Sequence, residues 1–258
     1  MTSSSSNNPH SGDNAKLVDF GDQLIPASEK QQRVNDVFHS VASSYDMMND
    51  VMSLGIHRLW KDLLMNMITP EAHHQLVDLA GGTGDISARF LQRGGKSAVI
   101  CDINTDMMLA GRGRPDLHRY GKSLQWLAGN ASALPLMDDS ADIVTISFGL
   151  RNVTDRDAAL REALRILKPG GRFYCLEFSH IRNQPLSAIY AMWSELLPVM
   201  GALIAKDAAS YRYLAESIKR FPDQETLAAM MGMAGFARVR HRDLSGGIAA
   251  IHCGWKAS

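Results

Sequence analysis

Residues 75–85 read Q-L-V-D-L-A-G-G-T-G-D, and this stretch decides the fold. Its first part is mostly apolar, as expected of a short strand that is buried on both faces of a parallel sheet. Gly81, Gly82 and Gly84 follow, and they lack the side chains that would hold a ligand away from the backbone. Residues 86–92 have the composition of a helix, which a pair of glycines ends. A strand, a glycine turn and a helix form the opening unit of a nucleotide-binding α/β fold.

The charges around this turn favour a cationic ligand over a pyrophosphate. Asp78 and Asp85 flank the turn, and they would repel a pyrophosphate but attract the amino group and sulfonium of S-adenosylmethionine. Ser87 stands where a dinucleotide fingerprint has its third glycine, so an NAD-dependent oxidoreductase is disfavoured. Asp102 ends the next apolar run, about 20 residues beyond Gly81, as expected of an acid that binds a ribose diol. The plainer alternative is an ordinary turn with surface acids.

The composition sets the broad class of protein. The chain has 258 residues and is 45% hydrophobic, which fits one large α/β domain or two small ones. Lysine plus arginine balances aspartate plus glutamate at 27 each, so bulk charge predicts no nucleic-acid partner. Cys101, Cys175 and Cys253 are far apart in apolar runs. They indicate a reducing compartment and argue against a disulfide framework or a zinc site, and we expect no metal.

Composition also predicts the boundaries of the domain. Residues 1–14 are rich in serine and asparagine, resemble neither a signal peptide nor a transit peptide, and are expected to be disordered. No apolar run reaches the roughly 18 residues of a membrane-spanning helix. We predict a disordered tail at 1–28 and a single domain at 29–258. Within the domain we predict a helical cap at 29–70 and a helical insertion at 182–221.

Strands and helices alternate along the middle of the chain. Apolar residues at helical spacing predict helices at 30–41 and 56–68. Five strands then alternate with helices, and a pair of strands at 236–243 and 247–255 closes the chain. This order predicts a mainly parallel sheet with one reversed edge strand.

Six blocks of sequence carry a specific resemblance. They are V-F-H-S-V-A-S-S-Y-D-M-M-N-D-V-M-S-L-G-I-H-R-L-W-K, D-L-A-G-G-T-G-D, I-S-F-G-L-R-N-V-T-D, L-K-P-G-G-R-F, S-Y-R-Y-L-A-E-S-I and G-G-I-A-A-I-H. In this order they resemble the ubiquinone/menaquinone biosynthesis C-methyltransferases of the UbiE type. The resemblance implies an α/β class I, Rossmann-like methyltransferase fold of seven mostly parallel strands with the last strand antiparallel.

The resemblance also implies an activity and its cofactor. Members of this family transfer a methyl group from S-adenosylmethionine to a ring carbon of a polyprenyl quinol, leaving S-adenosylhomocysteine. The acceptor would be 2-polyprenyl-6-methoxy-1,4-benzoquinol, demethylmenaquinol or both.

The family's cofactor contacts carry over by position. They are Thr83 in the glycine turn, Asp102 at the ribose, Asn130 and Ala131 at the adenine, and Ser147 at the end of the fourth strand. The turn argued above adds Gly81, Gly82, Gly84 and Asp78 to this predicted site. The chain departs from the family at Ser132, where an acid is usual, and at Leu136, where an aromatic residue is frequent. Neither position is a matched contact.

The implied reaction needs a base and a positive group near the acceptor. A neutral quinol carbon is weakly nucleophilic, so the enzyme must remove or polarise the proton of a ring hydroxyl. Arg151 is predicted to stabilise the phenolate and to orient a water, and Asn152 to hold the other ring oxygen. Tyr45 and Asp46 are predicted to complete the pocket and relay the proton.

Other roles stay open for several of these residues. Arg151 could instead form a salt bridge to Asp155, and its high pKa makes it a poor base. His57 and His252 are alternative bases, although a lone histidine is more often structural.

The isoprenoid tail of such a substrate must leave water. The apolar residues 190–204 are the natural cover for it and could also rest on a membrane surface. Packing in the core or in a homodimer is the alternative. We expect a cytoplasmic protein that could lie peripherally at the inner face of the membrane or join a quinone-synthesis complex. Two other functions stay open: a methyltransferase for another small phenol or sterol, and a scaffold subunit that binds S-adenosylmethionine.

Overall fold

The computed structural model describes residues 17–41, 50, 53, 55–181 and 208–258. The strands within these residues form two sheets. In chain order they are β1 Leu17–Phe20, β2 Gln23–Pro26, β3 Gln75–Leu79, β4 Ser97–Asp102, β5 Leu124–Ala128, β6 Ala141–Ser147, β7 Leu167–Phe178, β8 Ala237–Leu244 and β9 Ala249–Trp255. β1 and β2 form a hairpin, and the other seven strands form the main sheet.

The main sheet has the strand order β5-β4-β3-β6-β7-β9-β8. Neighbours from β5 to β7 pair in parallel, whereas β9 runs antiparallel to both β7 and β8. The predicted fold class is therefore confirmed, including the reversed last strand. One detail of the prediction is wrong, since β9 lies inside the sheet and β8 forms the edge. The short turn Ser245–Gly247 returns β9 alongside β8, and the other side of β9 completes the sheet against β7.

Helices cover both faces of this sheet. They are α1 Ala27–Val41, α2 His57–Ile68, α3 Asp85–Gln92, α4 Thr105–Arg112, α5 Arg156–Ile166, α6 Ala208–Arg220 and α7 Gln224–Met233. Short 3-10 turns lie at Pro115–Ser123 and Leu150–Asn152. The helices predicted at 30–41 and 56–68 are confirmed. Of the predicted insertion, residues 182–207 lie outside the described part of the chain. Among the residues that are described, no helix has the length and apolar character needed to cross a membrane.

Each face of the sheet buries its own hydrophobic cluster. One cluster includes Leu76 of β3 and Phe90 of α3, and the other includes Val77 of β3 and Leu160 of α5. Successive residues of β3 thus point into different clusters, as a strand buried on both faces requires. Each fully buried side chain of this size contributes roughly 1.5–3 kcal/mol. This double layer holds the carboxyl ends of the central strands in place.

The β1–β2 hairpin lies inside the segment predicted to be a tail at 1–28. The φ of 55° at Gly21 suits the two-residue turn that joins the strands. Ile25 is buried, and the ring of Phe20 stacks on Tyr213 of α6 with 4.5 Å between centroids. The predicted start of the domain at residue 29 is therefore too late, because these apolar contacts make the hairpin part of the packed structure.

Candidate active site

A cleft opens where β3, β4, β5 and β6 end. The space within it, including the open solvent at its mouth, is about 990 Å³. The backbones of Ala80 and Phe148, directly after β3 and β6, have positive φ values of 49° and 55°. Residues other than glycine adopt this conformation at a cost of about 1–3 kcal/mol, and it is concentrated at functional sites. Both of these residues line the cleft.

The glycine turn forms the floor of this cleft. Gly82 lines it with a φ of 52°, and a Cβ there would lie 3.2 Å from Met107 Cε, so a side chain would narrow the space. Gly84 is not among the lining residues, and its role lies in the packing of α3. Its Cβ would lie 2.7 Å from Ile100 Cδ1, so the missing side chain allows α3 to pack closely on β4. Gly81 and Thr83 also line the cleft.

Asp102 ends β4 and is buried beside the turn. Its Oδ2 accepts a hydrogen bond from the Gly82 N–H and its Oδ1 accepts one from the Asn104 N–H, both at 2.8 Å. Burial raises the pKa of Asp102, although these backbone donors act to lower it. Each carboxylate oxygen keeps a further lone pair, so the group could accept two hydroxyls of a ribose. The structure therefore places Asp102 where the sequence analysis expected it.

Asn130 and Ala131 line the cleft on the loop after β5. Asn130 Oδ1 accepts a hydrogen bond from the Ser132 N–H at 2.9 Å, which orients the amide. Ser132 itself is not among the lining residues. Its hydroxyl donates to the Asp155 carbonyl at 3.0 Å and ties the loop to α5. The departure from the family at Ser132 thus concerns a loop contact.

Ser147 ends β6 and also lines the cleft. Its Oγ is buried and has no hydrogen-bond partner within the described residues. A buried hydroxyl without a partner is costly, typically by about 1–3 kcal/mol. Ser147 therefore offers a donor and an acceptor to whatever enters the cleft.

The two carboxyl groups that flank the turn differ in state. Asp78 is fully buried and accepts hydrogen bonds from Thr145 Oγ1 at 2.7 Å and Ser87 Oγ at 3.1 Å. Burial raises its pKa to about 7. Burial also acts to raise the pKa of Asp85, but Lys61 at 2.8 Å and Arg89 at 3.2 Å bring it to about 2.

These states correct the expectation of two acids that both attract a cation. The charge of Asp85 is already neutralised by protein cations, and Lys61 itself lines the cleft. Asp78 is the remaining acid of the pair, and its charge depends on pH near neutrality.

Arg151 lies in a different place from the one predicted. It is 1% exposed and is not among the residues that line the cleft. Its Nη1 forms an ion pair with Glu177 Oε1 at 2.6 Å and donates to the Phe148 carbonyl at 2.7 Å. Asp155, the alternative partner considered above, instead caps α5 by accepting from the Ala158 N–H. Arg151 therefore ties the turn Leu150–Asn152 to Glu177 of β7.

Asn152 lines the cleft, and its Oδ1 accepts a hydrogen bond from the hydroxyl of Tyr213 at 3.0 Å. Tyr45 and Asp46 lie outside the described residues. The two histidines considered as bases are not among the lining residues. Burial lowers the pKa of both His57 and His252 to about 4, so each is neutral and weakly basic at pH 7.

The lining residues missed by the sequence analysis include four from the two helices that precede β3. Gln31, Val34 and Asn35 form one stripe of α1 over the cleft, and Lys61 comes from α2. The first three lie within the helix that apolar spacing predicted at 30–41. The polar neighbours on the same face were the available signal. Nothing in the sequence links Lys61 to Asp85.

One group of potential metal ligands lies away from the cleft. Glu71, His73 and His74 each offer a ligand atom within 4.8 Å of the others. They precede β3, so they lie at the end of the sheet opposite the cleft. His74 Nδ1 already accepts a hydrogen bond from the Glu71 N–H at 3.2 Å. We assign this group no part in the chemistry of the cleft.

Comparison with known proteins identifies close relatives in sequence. A model of the ubiE/COQ5 methyltransferase family matches residues 27–256. The ubiquinone/menaquinone biosynthesis C-methyltransferase UbiE of Acidiphilium cryptum is 54% identical, over 94% of this chain and 98% of the relative. The mitochondrial 2-methoxy-6-polyprenyl-1,4-benzoquinol methylase of Xenopus laevis is 45% identical, over 93% of this chain and 90% of the relative.

Solved structures share the fold at lower identity. An S-adenosylmethionine-dependent methyltransferase from Thermotoga maritima has a TM-score of 0.60 and 22% identity, over 86% of this chain and 99% of that one. One from Methanococcus maripaludis has a TM-score of 0.58 and 18% identity, over 84% of this chain and 92% of that one. At this identity the similarity establishes the architecture alone.

Proposed function

The chain belongs to the ubiE/COQ5 methyltransferase family, and from this premise we propose that its acceptor is a polyprenyl quinol. It is a C-methyltransferase of ubiquinone/menaquinone biosynthesis, like the relatives that are about half identical over most of their length. We propose S-adenosylmethionine as the methyl donor. The ring carbon that receives the methyl group belongs to 2-polyprenyl-6-methoxy-1,4-benzoquinol, to demethylmenaquinol or to both.

The convergence of polar groups on one cleft carries this proposal. Asp102, Asn130 and Ser147 come from three different strand ends and line the same space as the glycine turn. Open α/β sheets bind ligands at the carboxyl ends of their strands. The side-chain-free floor at Gly82 and the unpartnered buried hydroxyl of Ser147 fit a ligand that is rich in hydrogen-bonding groups.

We assign the cofactor contacts on this basis. Asp102 accepts the ribose hydroxyls, Asn130 and Ala131 meet the adenine, and Ser147 bonds to the amino-acid part. Gly81, Gly82 and Thr83 supply close backbone approach, and Asp78 attracts the amino group when it is ionised. Gly84 serves the site through the packing of α3, as its geometry indicates.

The remaining residues act on the acceptor. S-adenosylmethionine, when bound, supplies an electrophilic methyl group. Asn152 faces the cleft beside Ser147 and holds a ring oxygen of the quinol. Arg151 holds the turn that presents Asn152, through its ion pair with Glu177. This role replaces direct contact with the phenolate, because Arg151 is buried and is not among the described residues that line the cleft.

Two parts of the proposal concern residues outside the described part of the chain. Tyr45 and Asp46 remain our candidates for relaying the hydroxyl proton to water. Residues 190–204 remain our candidate cover for the isoprenoid tail and for peripheral contact with a membrane. Both follow from the sequence and from the family.

A direct assay tests the function. The purified protein is incubated with S-adenosylmethionine carrying a labelled methyl group and with short-chain benzoquinol and naphthoquinol acceptors. We expect label on a ring carbon of at least one of them. Transfer to unrelated phenols or sterols but to neither quinol would contradict the acceptor. Binding of S-adenosylhomocysteine without any transfer would indicate the scaffold subunit instead.

A further inference from the structure

The acceptor side of the cleft contains a hydrogen bond between two buried side chains that are far apart in sequence. The hydroxyl of Tyr213 in α6 donates to Oδ1 of Asn152 at 3.0 Å, across 61 residues of chain. Tyr213 is 5% exposed and Asn152 is 8% exposed. Of the two, Asn152 lines the cleft and Tyr213 does not. Among the described residues, Asn152 is the link that joins the Tyr213 hydroxyl to the cleft.

Tyr213 is itself held from the other side. Phe20 of the β1–β2 hairpin stacks on its ring at 4.5 Å with an interplanar angle of 27°. Asp19 fastens the hairpin through ion pairs of 3.0 Å to Arg156 and 3.6 Å to Lys30. An offset stack of this kind restricts the tilt of the ring and therefore the position of the hydroxyl.

The hydrogen bond decides which end of the Asn152 amide faces the ligand. A side-chain amide presents either an acceptor oxygen or two N–H donors, and the two ends are similar in shape. Burial raises the pKa of Tyr213, so its hydroxyl keeps its proton, and in the structure it donates that proton to Asn152 Oδ1. Because Oδ1 accepts the hydrogen bond from this hydroxyl, Nδ2 is the end of the amide that is left to face the cleft.

We propose that Tyr213 is a positioning residue that turns Asn152 into a hydrogen-bond donor for a ring oxygen of the acceptor. This inference rests on the proposed function, because it concerns how the quinol is held. A donor stabilises the negative charge that the ring oxygen gains when its hydroxyl loses the proton, before the ring carbon attacks the methyl group, whereas the amide oxygen would repel this charge. The hydroxyl of Tyr213 thus favours the reacting form of the acceptor without touching it.

Tyr213→Phe tests this role because it removes the hydroxyl and keeps the ring that stacks on Phe20. We expect kcat/KM for a short-chain quinol to fall about tenfold to 100-fold, the range for a displaced group at a reacting centre. The fall should lie mainly in kcat. The affinity for S-adenosylhomocysteine should change less than about twofold, since the cofactor contacts are separate.

Tyr174→Phe is the matched control. It also removes one hydroxyl, on a strand away from the acceptor side, that donates to a partly buried partner, the Met67 carbonyl at 3.1 Å. We expect its kcat/KM to stay within about twofold of wild type. A general loss of stability would affect both variants, so the comparison isolates the contact with Asn152.

A double-mutant cycle makes the test specific. In an Asn152→Ala background, Tyr213→Phe should have little further effect, because the link that joins the hydroxyl to the cleft is gone. Phe20→Leu provides a second variant that keeps the hydroxyl and loosens the stack, and it should lower kcat by a smaller factor than Tyr213→Phe.

The outcomes separate this inference from the proposed function. A wild-type enzyme that methylates a quinol, with Tyr213→Phe as active as wild type, overturns the inference alone. So does a Tyr213→Phe effect of equal size with and without Asn152. A wild-type protein that binds S-adenosylhomocysteine and methylates no quinol overturns the proposed function, and the inference falls with it.

Discussion

The two halves of the cleft are built in different ways. The cofactor half consists of residues at or just beyond the carboxyl ends of strands, such as Asp102 at the end of β4 and Ser147 at the end of β6. The acceptor half joins Asn152 to Tyr213 and Phe20, which lie far apart in the chain. A parallel sheet brings all its carboxyl strand ends together, so the first half follows from local sequence. The second half depends on tertiary packing.

The largest effect is expected for Arg151, which was predicted to contact the acceptor but forms a buried ion pair with Glu177. Arg151→Ala should lower the free energy of unfolding by about 3–5 kcal/mol, because it leaves the carboxylate of Glu177 buried without its partner. Replacing both residues, as Arg151→Met with Glu177→Leu, should recover much of this loss. Chemical denaturation measures both changes.

A surface ion pair provides the control for this variant. Asp138→Ala breaks a pair with Arg165 of the same 2.6 Å length, but Asp138 is 70% exposed. Its cost should stay below about 1 kcal/mol. If Arg151→Ala kept wild-type stability while methyl transfer was lost, Arg151 would act on the phenolate after all.

The next largest effect tests the cofactor half of the cleft. Asp102→Asn should weaken the binding of S-adenosylhomocysteine about tenfold to 100-fold, because hydrogen bonds to a charged group contribute about 1.5–3 kcal/mol. Calorimetry gives the affinity. Asp106→Asn makes the same change of charge on α4, at an exposed acid outside the cleft lining, and should leave the affinity unchanged. If both variants lost the same affinity, the effect of Asp102→Asn would come from the change in net charge and not from a contact with the ligand.

Asp78 predicts a pH dependence of stability. Its pKa is about 7 in the folded protein and about 3.8 when unfolded, so the folded state binds the proton more tightly. The stabilisation is complete below about pH 4 and is lost as the pH rises through 7. From pH 5 to pH 8, wild type should lose about 3 kcal/mol relative to Asp78→Asn.

Asp85→Asn is the control for this pH profile. The pKa of Asp85 is about 2, so its charge does not change between pH 5 and pH 8. The stability difference between wild type and this variant should therefore be flat over that range. A flat profile for Asp78→Asn as well would contradict a folded-state pKa of about 7 for Asp78.

The smallest effect concerns the loop between the halves. Ser132→Ala removes the hydroxyl that donates to the Asp155 carbonyl, and it should cost about 0.5–1.5 kcal/mol of stability. The affinity for S-adenosylhomocysteine should stay within about twofold, since Ser132 is not among the lining residues. Ser140→Ala removes a similar but exposed bond to the Met137 carbonyl and should cost less. A large loss of affinity in Ser132→Ala would place this residue in the cofactor half.

The same contrast explains what the sequence could predict. The strand ends and the glycine turn were found because their residue types and spacing are local signals. The hairpin was missed because its short apolar strands follow a serine- and asparagine-rich segment. Arg151 was assigned to the cleft because it follows β6, but its partner Glu177 lies on β7, and no local pattern shows which way the side chain turns. The charge of Asp85 was misjudged for a related reason, since Lys61 comes from the separate helix α2.

The central claim is that the cleft at the strand ends accepts S-adenosylmethionine rather than a dinucleotide. Isothermal titration calorimetry of the purified wild-type protein tests it directly, with S-adenosylhomocysteine and NADH as the two titrants. The account predicts saturable binding of S-adenosylhomocysteine at one site per chain and no heat of binding for NADH. Saturable binding of NADH with none of S-adenosylhomocysteine would contradict it.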